Sequence, residues 1–176
     1  VNLTIDQIWN YSQREKYLNT FAVSGEKQTY SIDITAGFNE KRPSSYMLMS
    51  RYKGGNIASF DSKESGNSPV LELMVNGSKR ILPAVGDTYI RAGSYYKRNY
   101  STEPALQVRD TGAPVDEDNM RAYIKFDISS IKDTDDVTSA RIVVTGSTNS
   151  PTGSQDIIVF NAGRQIWDEE TLTWNS

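Results

Sequence analysis

The 176-residue chain is long enough for one sizeable hydrophobic core and short for two, and it contains neither Cys nor His. That excludes disulfides, thiol nucleophiles, imidazole bases and nitrogen or sulfur zinc shells, so any metal would need an all-oxygen site, which points to calcium. The net charge of −3 is spread unevenly. Lys41, Arg42, Arg51 and Lys53 meet no acid between residues 41 and 60, and Lys79, Arg80, Arg91, Lys97 and Arg98 meet only Asp87 between 77 and 102. The opposite sign gathers in Asp116, Glu117, Asp118, Asp133, Asp135 and Asp136. Such segregation either lets one face bind a polyanion despite a mildly acidic total or leaves solvated loops with no ligand.

Strand signals recur at short intervals with almost no helical period, and they predict strands over residues 29–34, 45–52, 56–60, 70–75, 88–92, 105–108, 122–127, 138–145 and 155–161. Short helical turns are expected near residues 35–38 and 129–131, the second capped by Asp127 or Ser129. Asn76-Gly77 reads as a tight turn or strand exit, and residues 149–153 (NSPTG) as a hairpin loop. The clearest alternation sets Ala122, Ile124, Phe126 and Ile128 against Arg121, Tyr123, Lys125 and Asp127. A period of two puts the apolar set on a buried sheet face. The pattern returns in Ala140, Ile142 and Val144, a compact run follows in Ile157, Ile158, Val159 and Phe160, and Trp167 and Trp174 close the segment. Many short strands with polar connections predict an all-β fold, an antiparallel jelly-roll β-sandwich. With no long apolar stretch and no charged-then-apolar N-terminus, neither a membrane span nor a signal peptide is expected, and Val1 reads as an interior start. Gln7-Ile8-Trp9-Asn10 is echoed by Gln165-Ile166-Trp167-Asp168, about one sandwich domain later, as in tandem copies of one domain.

Several motifs together resemble DNRLRE-type β-sandwich domains, a group that includes the family 96 carbohydrate-binding modules of bacterial polysaccharide lyases. They are DTYIR at residues 87–91, NYS at 99–101, LQV at 106–108, RAYIKFD at 121–127, SARI at 139–142 and WDEETLTW at 167–174. The family's closing elements come earlier in the chain, as DIT at residues 33–35, Lys63-Glu64, and PVL at 69–71. Residues 1–82 thus resemble the family's second half and residues 83–176 its first. Ser101 stands where the family often has Gly. Two isolated half-domains would leave open apolar faces and unpaired edges, so one closed sandwich spanning residues 1–176 is expected, within a chain or by exchange between chains.

Sugar sites need aromatic faces and fixed donors, and an acidic polysaccharide adds anions that Arg grips as a fork and Lys as a point charge. The candidates are Arg91, Tyr95, Tyr96, Lys97 and Arg98 in one segment, and Lys41, Arg42, Arg51, Tyr52 and Lys53 in another. Tyr89 and Tyr100 fall at pattern positions that suit core residues, and Trp9, Trp167 and Trp174 are expected in the core. Asp116, Glu117, Asp118 and Asn119 offer oxygen ligands for calcium without the spacing of a hand-type loop, and a solvated loop is the plainer reading.

The resemblance implies a secreted, non-catalytic module that binds an acidic polysaccharide, alginate first, and carries a covalently linked lyase to its substrate. The alternative is a structural spacer or surface-adhesion repeat without a sugar site. No catalytic constellation stands out, and neither nucleic acid nor membrane is an expected partner.

Overall fold

Alternating burial recurs along the strands, and the computed structural model, which describes residues 17–112, 118–163 and 167–174, assembles them into an antiparallel β-sandwich. Its elements are β1 (Tyr17–Ser24), β2 (Gln28–Asp33), α1 (Thr35–Lys41), β3 (Ser45–Ser50), β4 (Ala58–Asp61), β5 (Val70–Val75), β6 (Ser78–Arg91), β7 (Ala105–Val108), β8 (Met120–Phe126), β9 (Val137–Thr148) and β10 (Ser154–Gly163). One sheet runs β1-β10-β3-β8-β6. In the other, β9 pairs with β2 along one edge and with β4 and β5 along the other; β7 lies outside β4, and the first half of β6 outside β5.

β6 belongs to both sheets. Residues 78–83 pair with β5, a bulge falls between Ala84 and Gly86, and the remainder pairs with β8. Bulges bend a strand and sharpen its twist, which is what a strand needs to leave one sheet for the other. Pro83 fits because this half of β6 is paired on one side only, so its missing N–H breaks no ladder. Sequence patterning predicts only residues 88–92 of this strand, since Lys79, Arg80 and Pro83 mask its start. β1 is absent from the predicted set: Leu18, Phe21 and Val23 break strict alternation, and a register irregularity lies between Tyr17 and Asn19. The turn expected near residue 129 forms without becoming a helix, with the Ser129 N–H donating to Asp127 Oδ1 at 2.9 Å and the Ile131 N–H to the Ile128 carbonyl at 2.9 Å.

The core takes Ala122, Ile124 and Phe126 from β8, Ala140, Ile142 and Val144 from β9, and Leu48, Phe60, Leu71 and Leu73 from the strands before residue 76. Full burial of each larger side chain contributes roughly 1.5–3 kcal/mol. Tyr46 is fully buried, meets Phe126 edge-on at 5.8 Å and donates its hydroxyl to the Pro43 carbonyl at 2.9 Å. Strands from the two halves of the chain alternate: β3 lies between β10 and β8, and β9 between β2 and the pair β4 and β5.

Residues 167–174 cover the outward face of β8. Lys125 donates to the Trp167 carbonyl at 2.6 Å and sits 4.7 Å from its ring, Tyr123 meets the same ring at 6.2 Å, and Arg121 lies 4.6 Å from the Trp174 ring. Trp167 Nε1 donates to Ser45 Oγ at 3.0 Å. Both tryptophans therefore pack half-buried on the outer face of β8, under its cations, and not in the core where sequence patterning puts them. Trp9, the echo at residues 7–10, and Gln165 and Ile166 lie outside the described residues.

Candidate functional site

Strand register decides which candidate residues can meet. β8 runs antiparallel to both β3 and β6, with Ser45 opposite Lys125 and Arg91 opposite Met120. The start of β3 and the end of β6 therefore lie at opposite ends of the sandwich. Lys41 and Arg42, just before β3, sit at the Lys125 end; Arg51, Tyr52 and Lys53, just after it, sit at the Met120 end with Arg91 and residues 95–98. Arg109 ties the two loops together. It bridges to Met120, while the next residue, Asp110, accepts the Gly55 N–H at 2.8 Å. A Cβ on Gly112 would lie 2.7 Å from Lys53 Cβ, so the segment after β7 packs against the loop that carries Lys53.

At the Lys125 end, Arg42 closes α1 in the left-handed region at φ 44°, donates to the Asp135 carbonyl at 2.8 Å and lies 5.3 Å from the Phe38 ring. It is built into the helix-to-strand corner. Lys41 reaches Glu40 at 3.9 Å. An open groove of about 440 Å³ lies at this end, lined by Ser44, Val85, Lys125, Phe126, Asp127, Ile128 and Ser129.

At the Met120 end the tyrosines stand out. Tyr52 is 59% exposed, and Tyr95 and Tyr96 are each 40% exposed. Each carries a cation: Arg51 lies 5.5 Å from the Tyr52 ring, Arg91 3.7 Å from Tyr95 and Lys97 5.3 Å from Tyr96. The cations differ in how far they are already committed. Asp118 bridges Arg91 and Arg109, and although burial acts to lower the Arg91 pKa, that carboxylate holds it above its usual value. Among the described residues the ion pairs of Arg51 and Arg98 are long, to Asp156 at 3.9 Å and Glu103 at 3.7 Å, of a kind worth little in water. Lys53 and Lys97 have no ion pair among the described residues. Asp118 belongs to the acidic run, so the basic and acidic zones of the sequence interlock here in space. Sequence reasoning missed Arg109, whose only signal was its place between a strand and that run.

Tyr100 turns inward, as expected, and stacks on the buried Tyr89 at 4.2 Å. The supposed calcium loop is only partly in view, since Asp116 and Glu117 lie outside the described residues. Its other members are engaged: Asp118 between two guanidinium groups, and Asn119 Oδ1 accepting the Thr111 N–H at 2.7 Å.

The family model for carbohydrate-binding module family 96 matches residues 79–176, more than half of the chain. The chain belongs to this family. No match was found among curated proteins or among solved structures. Membership makes the chain a carbohydrate-binding module and implies a non-catalytic role. The matched stretch begins within β6, so β1 to β5 of the module lie outside it.

Proposed function

We propose that this module binds an acidic polysaccharide, alginate first, through the loop end carrying Tyr52, Lys53, Tyr95, Tyr96, Lys97 and Arg51. The observation that supports this is that strand register puts two tyrosine-and-cation segments at one end of the sandwich, with three exposed rings under Arg51, Arg91 and Lys97, and with Lys53 and Lys97 free of any ion pair among the described residues. Exposed phenol rings offer flat faces to the apolar side of a sugar, and uncommitted ammonium groups meet carboxylates at low desolvation cost. Arg91 has the different task of holding Tyr95 upright. Lys41 and Arg42, named with the site from sequence, stand at the far end and take no part.

Such a surface grips a chain loosely and repeatedly, which suits a domain that keeps an attached lyase near its substrate outside the cell by raising effective concentration. The strand orders β1-β10-β3-β8 and β2-β9-β4-β7 also support reading the sandwich as a jelly roll with the β5–β6 hairpin inserted.

Calorimetric titration with alginate oligosaccharides at low and high salt tests the proposal, with neutral glycans as controls. Binding should weaken with salt, K53A and K97A should each lose about threefold in affinity, and K41A should lose none. Equal losses from K41A would move the site to the groove end. Retention on no polysaccharide at all would favour the spacer reading.

A further inference from the structure

Three carboxylates from distant parts of the chain converge beside the open edge of β6. Glu64 comes from the 3-10 turn Lys63–Ser65, Asp87 from β6 just past its bulge, and Glu169 from the segment over β8. One oxygen of each lies within 4.8 Å of the other two. Glu169 accepts the Asp87 N–H at 2.8 Å, and Asn99 holds that segment by donating to the carbonyls of Glu169 and Leu172. Lys63 contributes the only cation described in the cluster, pairing with Glu64 and reaching Glu169 at 2.7 Å.

The polar accounting does not close. Asp87 is 1% exposed; its Oδ2 accepts the Lys63 N–H at 2.9 Å, but its Oδ1 is buried with no hydrogen-bond partner among the described residues. A buried acceptor left unmade is costly, and more so when it is charged. Three carboxylates against one ammonium leave two negative charges in excess when all are ionised. We propose that Glu64, Asp87 and Glu169 form a site for a hard divalent cation, calcium first. Such an ion cancels the excess and gives the orphan oxygen a partner, and a chain without Cys or His supplies the oxygen ligands calcium takes, with water or backbone carbonyls completing the shell. The Lys63 ammonium occupies the same charge well, so binding turns its flexible side chain outward. The bound ion ties the turn at residues 63–65, the sheet-switching strand and the segment over β8 to one point, acting as a clamp on the fold.

The test uses the full chain stripped with EDTA, titrated with calcium chloride by calorimetry and melted with and without it, with magnesium chloride as comparator. One saturable calcium site and a raised Tm are expected. E64Q and E169Q should each weaken binding by roughly tenfold or more, as lost charged ligands do. K63M, which removes the competing ammonium, should tighten binding severalfold, a change that a purely structural Lys63 would not produce. Absence of calcium binding at millimolar concentration in both wild type and K63M would overturn the proposal. So would loss of binding in E117Q with E64Q unaffected, which would place the ion in the acidic run instead.

Discussion

Burial is the largest influence on Asp87 and pushes its pKa up from 3.8 to about 7; the Lys63 N–H opposes this, and the Glu64 and Glu169 charges add to it. Between those two values the folded chain holds a proton that the unfolded chain releases. The Asp87 contribution to stability therefore falls as pH rises through that window, by up to about 1.4 kcal/mol per pH unit. In chelator, the stability of wild type relative to D87N should decline across that window, and parallel pH profiles for the two proteins would contradict it. Tyr100 presents the neutral counterpart: its ring is buried against Tyr89, and its hydroxyl has no hydrogen-bond partner among the described residues. Removing a buried hydroxyl that bonds to nothing is close to neutral or stabilising, so Y100F should melt at or above the wild-type temperature. A loss of more than about 1 kcal/mol would reveal a partner for that hydroxyl.

Among the elements, β9 and β6 do the joining. β9 pairs with β5 up to Val143 and with β4 from Gly146 onward, and the change of partner brings two backbones unusually close. A Cβ on Gly146 would lie 2.3 Å from the Ser59 carbonyl oxygen and 2.6 Å from a Phe60 ring carbon. G146A should thus push β4 off β9 and cost about 1–3 kcal/mol, the range for overpacking a tight contact, as denaturant unfolding would measure. An unchanged midpoint would mean that β4 yields freely. The edges are managed differently. Residues 78–83 of β6 carry Lys79 and Arg80, charges that discourage pairing with another chain, while further along Glu169 accepts an edge N–H that would otherwise be free.

For the molecule as a whole, the interleaving of early and late strands means that neither part can bury its apolar faces alone. The stretch that matches the family, residues 79–176, keeps β8, β9 and β10 but loses β3, which separates β8 from β10, and every partner of β9 described here. Expressed alone, that fragment should show no cooperative thermal transition by far-ultraviolet circular dichroism, and adding the remainder of the chain should restore one. A fragment that melts cooperatively by itself would show that the first five strands are dispensable.

The sequence by itself determined the class of fold, because period-two burial at β8 and β9 and the matched strands at 70–75 and 105–108 are local properties that any sheet must respect. It also marked the tyrosine-and-cation segments, since composition alone singles them out. It could not choose between the two ends of β3: Arg42 and Arg51 look alike in a list of residues, and only antiparallel register sends one to the helix corner and the other to the tyrosines. Nor could it join Glu64, Asp87 and Glu169, which no local period connects. Their meeting depends on a strand that changes sheets at a bulge and on a segment that folds back over β8, and such long-range placement is settled by packing.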